Sequence, residues 1–365
     1  MNQKEKIDLC FIISDMKSGG AQKVISIVAN YWAKKNKKIA ILSLDSPKND
    51  FYELNKSILR ISTGDTNKSY NIFSALRNNL VRIKNIRRVL KKINSPIIFS
   101  FIGSMNVLAI FSSFNLNSRL IISERNDPSK QSIGFIWNLL RKYIYKRADI
   151  VTVNSKNAYN YLNKFVPKHK LYLLVNPIIC KSLKKNTELK NPYFLAVGRL
   201  HHQKGYDILI EAMSILIKKY PNYRLVILGE GGLKKKLQTQ SNKLKLERNI
   251  EWVGAIKNTE PFFLSAKAFI MTSRHEGLPN ALLEAMNHGI PSIISSSSGG
   301  ALDYVKNNIT GIITDNNPND VAASMIKIIE DKKLTDEIAK AGKTVSMQFD
   351  LNKVIGNWEQ LLGWK

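Results

Sequence analysis

Read along the chain, apolar residues fall into short continuous runs, and between these runs they recur every three or four positions. The short runs cover residues 7–14, 39–44, 96–101, 120–122 and 150–153 in the first half. In the second half they cover 193–197, 224–228, 250–253, 268–271 and 292–294. Runs this short, apolar throughout rather than at alternate positions, predict strands buried on both faces. Helical spacing predicts helices at 21–34, 105–114, 205–219, 318–330, 334–347 and 352–362. Strands alternating with helices imply an α/β fold with parallel, doubly wound sheets. The series breaks at Asn176-Pro177, and Cys180 to Pro192 reads as a polar, Lys-rich linker. We therefore expect two domains, 1–180 and 181–350, with 351–365 a terminal helix; 365 residues suffice for two cores. No internal repeat of solenoid length is present.

One uncharged stretch, 94–118, invites a membrane-spanning reading. Pro96, Gly103, several Ser and three Asn make it a poor lipid-facing helix, so strand, turn at Gly103-Ser104 and helix are expected instead. The polar start and the short apolar run ending at Asp15 do not form a cleavable leader. Cys10 and Cys180 are the two cysteines, without a CxxC pair, which fits a reducing cytoplasm.

Charge changes the picture further. Residues 1–180 carry 30 Lys and Arg against 10 Asp and Glu, net +20, while 181–365 carry 26 against 18, net +8. Much of the excess lies in 76–92, where Leu76, Leu80, Ile83, Ile86, Leu90 and Ile93 recur at helical spacing among seven basic residues. The expected arrangement turns that stripe to the core and the charges toward an anionic inner-membrane surface, each basic residue adding about 1 kcal/mol there. Nucleic acid is the other partner such charge suits, but no helix-turn-helix, zinc-finger, RNP or KH signature accompanies it.

The candidate chemistry is concentrated in two stretches. Gly198-Arg-Leu-His-His-Gln-Lys-Gly205 follows a predicted strand and precedes a predicted helix. Arg199 and Lys204 thus occupy a strand-to-helix loop, where ligands of open α/β sheets bind, and both side chains suit phosphate oxygens. Glu276-Gly-Leu-Pro-Asn-Ala-Leu-Leu-Glu284 sets two carboxylates across a loop and a helix start, with Asn280 placed to cap a helix from Ala281 and Glu284 in its first turn. Two cations, two carboxylates and a helix N-terminus describe a nucleotide-sugar site. Taken singly, Arg199 and Lys204 are also what any surface turn carries, and Gly19-Gly20 is also a plain tight turn. No Asp-x-Asp occurs to hold a divalent ion, so no metal is expected, and His201, His202 and His275 lack metal-ligand spacing.

Both stretches, with Ser18-Gly-Gly-Ala-Gln-Lys-Val24 and Ser123-Glu-Arg-Asn-Asp-Pro128, resemble the retaining glycosyltransferases of family 4, and the likeness spans nearly the whole chain. The resemblance implies a GT-B fold: two Rossmann-like domains facing a cleft, with the C-terminal helix crossing back to the first. It implies transfer of a hexose or N-acetylhexosamine from a UDP-sugar to a polyprenyl-diphosphate-linked glycan acceptor, as in O-antigen, lipopolysaccharide or capsule assembly, by a peripheral enzyme on the cytoplasmic membrane face. By that resemblance Glu276 touches the transferred sugar and Glu284 the ribose. Gly277, Leu278 and Asn280 offer backbone N–H groups, Ile256 edges the base, and Gly19 and Gly20 approach the diphosphate. Glu276, Arg199 and Lys204 carry the catalytic assignment. Where many relatives place a His, this chain has Arg125, so Glu124 and Arg125 are expected near the acceptor. A nucleotide-sugar epimerase, a sugar phosphorylase and a non-catalytic basic scaffold are the competing readings.

Overall fold

The computed structural model describes residues 6–66, 71–180 and 193–364; the expected linker falls mostly outside them. The chain divides into two compact units, one from 1–177 with 355–365 and the other from 178–354. The change of unit therefore falls at Pro177, just ahead of the expected boundary, and the end of the terminal helix belongs with the first unit.

In unit 1 the strands are β1 (Leu9–Ile13), β2 (Ile39–Ser43), β3 (Leu59–Ser62), β4 (Ile97–Phe101), β5 (Arg119–Glu124), β6 (Ile150–Val153) and β7 (Leu171–Leu173). They form one parallel sheet in the order β3-β2-β1-β4-β5-β6-β7. Helices α1 (Gly20–Lys34), α2 (Ile72–Ile93), α3 (Gly103–Ser113), α4 (Phe135–Ile144) and α5 (Lys156–Leu162) connect them. Strands β1, β2 and β4 are buried at every position, because helices on both faces leave no polar side, and hence they read as continuous apolar runs. The uncharged stretch forms β4 and α3, and no described helix is long and apolar enough to cross a membrane.

Unit 2 contains β8 (Tyr193–Val197), β9 (Arg224–Leu228), β10 (Ile250–Gly254), β11 (Ala268–Met271), β12 (Ser292–Ser295) and β13 (Ile312–Thr314). These too are parallel, in the order β10-β9-β8-β11-β12-β13. Its helices are α6 (Tyr206–Leu216), α7 (Lys234–Lys243), α8 (Glu260–Leu264), α9 (Asn280–Asn287), α10 (Pro318–Glu330) and α11 (Lys332–Ser346), followed by the terminal α12 (Leu351–Leu362). Two Rossmann-like α/β units are thus present.

One expectation about the fold of unit 1 fails. The apolar stripe of α2 reaches the core only in its C-terminal half, where Ile86 and Leu90 are buried; Leu76 is 61% and Leu80 58% exposed. Length explains this. The 22 residues of α2 span about 33 Å at 1.5 Å each. A five-residue strand covers only about 17 Å. Asn94 ends α2 in the left-handed conformation and the chain enters β4 at Ile97, so the C-terminal half lies over the sheet. The N-terminal half overhangs it. A capping box starts the helix early: Asn71 accepts from the Ser74 N–H at 2.7 Å, and its own N–H donates to Ser74 Oγ at 3.0 Å.

The end of α12 closes the core of unit 1. Trp358 is fully buried beside Phe99 and Phe101, at ring separations of 5.8 and 6.5 Å, and its indole N–H donates to the Val175 carbonyl at 3.2 Å. Trp32, also buried, donates to the Glu359 carboxylate at 3.1 Å. Truncating Trp358 leaves a cavity and an orphaned carbonyl, so Trp358→Ala is expected to lower unfolding free energy by about 3–5 kcal/mol. Urea unfolding measures it; a loss below about 1 kcal/mol would contradict this role for α12.

Candidate active site

In unit 2 the strand order reverses between β8 and β11. Connections leaving these two strands diverge to opposite faces, which opens a crevice at their carboxyl ends. The loop after β8 carries Arg199 and Lys204, and the loop after β11 carries Glu276. Topology thus makes neighbours of stretches some seventy residues apart.

Backbone bonds hold the loops together. The Arg274 N–H donates to the Gln203 carbonyl at 2.7 Å, and the Gln203 side-chain amide donates to the His275 carbonyl at 2.9 Å. The Thr272 hydroxyl donates to the Gly205 carbonyl at 2.9 Å. Gly205 has φ +66°, and a Cβ there would lie 2.0 Å from the Thr272 carbonyl oxygen. Only glycine permits this approach. On the outer side, Arg274 forks onto Asp207 at 2.9 and 2.6 Å and donates to the His202 carbonyl at 2.7 Å. Burial alone would raise the Asp207 pKa; the hydrogen bonds and charge of Arg274 outweigh it and hold the carboxyl below its ordinary value.

At the centre is an ion pair. Glu276 is 6% exposed, and its Oε1 accepts from Lys204 Nζ at 2.5 Å and from the Ser273 hydroxyl at 2.7 Å. The Gly300 N–H donates to the Glu276 carbonyl at 3.2 Å and fixes the backbone. A buried carboxylate needs such partners, since desolvation without them would neutralise it. Tyr206 packs beneath, its hydroxyl donating to the Gly198 carbonyl at 3.0 Å; burial first, and the Glu276 charge second, push its pKa well up.

The other expected donor residues are placed as follows. Arg199 is exposed and makes no side-chain hydrogen bond or ion pair among the described residues, so its guanidinium is available to a ligand. Gly277 and Leu278 are buried between Glu276 and α9. Helix α9 begins at Asn280 with Pro279 as its N-cap and no side-chain cap, so Asn280 is not the cap, and Glu284 lies one turn in rather than in the first turn. The reason is local: extended Pro279 (φ −77°, ψ 116°) supplies its carbonyl to the Leu282 and Leu283 N–H groups, which makes Asn280 helical. Ile256 follows β10 and is half-buried against the core around Leu228 and Phe263.

Gly19 and Gly20 lie in unit 1, in the loop from β1 to α1; Gly19 is extended and exchanges hydrogen bonds with the Tyr52 hydroxyl at 3.1 and 3.4 Å. Strand order also reverses in unit 1, between β1 and β4. There Ile102, a β-branched residue at φ +76°, stores backbone strain just before α3.

Glu124 and Arg125 are arranged otherwise than an open acceptor contact requires. Glu124 is buried, accepts from the Tyr145 hydroxyl at 2.6 Å and lies 3.1 Å from Arg141 Nε. Burial raises its pKa, with Arg141 and the Tyr145 hydroxyl pulling the other way. The guanidinium of Arg125 is held between the rings of Phe101 and Trp358, at 4.8 and 4.9 Å, and donates to the Leu174 carbonyl and Asn176. The ring faces take the place of acceptors for its remaining buried N–H groups. Desolvation pushes its pKa down to about 9, so it stays a cation at neutral pH.

Sequence reasoning missed Ser273, Asp207 and Arg274, which hold the loops or Glu276 in place. Ser273 lies two residues beyond a predicted strand end, and that position was its signal. Among the described residues no three His, Cys, Asp or Glu side chains converge as a metal-ligand set.

Comparison with known proteins bears on this geometry. Residues 181–345 match the model of the glycosyl transferases group 1. An uncharacterized glycosyltransferase of Methanocaldococcus jannaschii is 30% identical over 293 residues, covering 67% of this chain and 72% of that protein. A Campylobacter jejuni GalNAc-alpha-(1->4)-GalNAc-alpha-(1->3)-diNAcBac-PP-undecaprenol alpha-1,4-N-acetyl-D-galactosaminyltransferase is 25% identical over 359 residues, 97% of this chain and 98% of that one. Anabaena HepE, solved with UDP and glucose, superposes with a TM-score of 0.80 at 16% identity, over 98% of this chain and all of that one.

The close approach at Gly205 predicts that Gly205→Ala lowers unfolding free energy by about 1–3 kcal/mol. Gly232→Ala, with open space around its Cβ, is expected to match the parent in the same urea titration. Equal stability of the two variants would contradict the arrangement of the loops.

Proposed function

Because the chain belongs to the group 1 glycosyl transferases, of GT-B fold, we propose that unit 2 holds a UDP-sugar and that the enzyme passes the sugar, with retention, to a lipid-linked saccharide. The observation that carries this reading is the part-buried Lys204–Glu276 pair at the β8/β11 crevice, with exposed Arg199 in the same loop as Lys204 and α9 starting at Asn280, just after Glu276. It supplies what the reaction requires in one place. Lys204, Arg199 and the positive end of α9 neutralise the departing diphosphate. Glu276, already oriented by Ser273 and Lys204, accepts hydrogen bonds from sugar hydroxyls, and Glu284 does so from the ribose. Gly277, Leu278 and Asn280 line the approach with backbone N–H groups, Ile256 borders the base, and Gly19 and Gly20 let the backbone of unit 1 come close to a ligand.

In the proposed reaction the bond between the anomeric carbon and the diphosphate oxygen breaks, and the acceptor oxygen bonds to that carbon on the face just vacated. The acceptor proton passes to the departing phosphate. Fixed cations take the place of a divalent metal, so turnover is independent of one. The Campylobacter relative, by its name, acts on an undecaprenol-diphosphate glycan, which supports a polyprenyl-diphosphate acceptor and surface-polysaccharide assembly here. Such an acceptor lies in a membrane, and the seven basic residues of α2, with no acidic one, favour an anionic cytoplasmic leaflet.

The test is transfer from a panel of nucleotide sugars, in EDTA, to undecaprenyl-diphosphate-linked saccharides. Acceptor-dependent release of UDP that survives EDTA is expected. Lys204→Ala and Glu276→Gln are each expected to lower kcat by about 10²-fold or more, as removal of transition-state donors and their partners does. Unchanged kcat in both variants, or a strict metal requirement, would contradict the proposed roles; epimerised donor or phosphorolysis in place of transfer would favour the other GT-B chemistries.

A further inference from the structure

Unit 1 exposes large apolar side chains on two helices. On the overhanging half of α2 these are Phe73, 83% exposed, with Leu76 and Leu80. They form a shallow groove with Arg77 and Lys84. On α4 they are Phe135, 82% exposed, with Ile136 and Leu139, spaced along one helical face while Ile144 points to the core. Both helices pack on α3, and Arg87 of α2 donates to the carbonyls of Ser112 and Phe114 at its far end.

Their direction follows from the parallel sheet. Helices α2, α3 and α4 lead into the amino ends of β4, β5 and β6, so each begins at the carboxyl ends of the strands. Phe73 and Phe135 therefore stand at the same end of unit 1 as the Gly19-Gly20 loop and strained Ile102, where its crevice opens. The charge on the two helices themselves has one sign: neither carries Asp or Glu, although the Asp65 carboxylate accepts from Asn85 of α2 at 3.1 Å and Arg141 of α4 is buried against Glu124; exposed Lys142 lies beside Tyr143, its ammonium 5.9 Å from the ring.

We infer that α2 and α4 form a two-pronged edge that inserts into an anionic lipid bilayer, with Phe135, Ile136 and Leu139 of α4 as the apolar anchor. The inference rests on the reading of a membrane-held acceptor and deepens it, since insertion at this end brings the crevice of unit 1 to the headgroup level. A second copy of the chain is the other occupant an apolar face could have. Two such faces would bring basic residues against basic residues with no acidic partner on either helix, whereas anionic headgroups complement them.

The test uses the full chain and vesicles of phosphatidylcholine with phosphatidylglycerol at about 3:1, a composition that presents an anionic surface. The parent is expected to co-sediment with these and far less with phosphatidylcholine alone. Phe135→Ser with Leu139→Ser is expected to lower partitioning about tenfold or more, by loss of buried apolar area. Both side chains are exposed, so the variant should keep the parent's Tm and its turnover with a short-chain, water-soluble acceptor. Vesicle binding undiminished in the variant would overturn the inference, as would a concentration-dependent dimer that the same variant abolishes. Vesicle binding is read without turnover, so an enzyme that binds as described but transfers no sugar would overturn the functional reading and leave this inference standing.

Discussion

A carboxylate with almost no exposure is tolerable only beside a cation and a hydroxyl, and Glu276 has both. Much of unit 2 can be understood from that requirement. Lys204 and Glu276 come from different connections, so they meet only where two adjacent strands send their loops apart, between β8 and β11. The meeting needs a glycine at 205, because any Cβ would strike Thr272. It needs Ser273 two residues beyond β11, and it is braced by the Arg274–Asp207 fork outside. In the proposed reaction the pair supplies a cation for phosphate and a carboxylate for hydroxyls, and the contact between them holds each in position.

Unit 1 follows a different logic. Its charged residues at the end of β5 are drawn inward, Glu124 onto Tyr145 and Arg141, and Arg125 between Phe101 and Trp358. They stiffen the edge of the crevice and tie in the end of α12. The outward chemistry is left to the glycine loop after β1, to the strained turn at Ile102 and to the helices that project beyond the sheet. A rigid floor with an apolar, basic rim suits a domain that receives its substrate from a lipid surface.

The strands and the fold were legible because burial on both faces writes itself as uninterrupted Val, Ile, Leu and Phe. Edge strands β3 and β7 and the short β13 were not, since a few half-exposed or isolated residues carry no such run. Lys204 and Glu276 stood out because charge follows a strand end, but the same cue at Glu124 and Arg125 marked packed side chains instead. Asn280 misled because Pro279 can end the loop itself, through its backbone carbonyl. The stripe of α2 misled more instructively: periodicity reports which residues share a face, but only the length of the neighbouring sheet decides how much of that face is covered. Arg125 was expected near the acceptor because its aromatic partners, Phe101 and Trp358, are far away in sequence.

The most direct measurement is a crystal structure of the enzyme with UDP, grown in EDTA. The account predicts diphosphate oxygens within hydrogen-bonding distance of Lys204 Nζ and the Arg199 guanidinium, near the start of α9, with ribose hydroxyls on Glu284. Nucleotide bound away from the β8/β11 crevice, with the Lys204–Glu276 pair untouched, would contradict it.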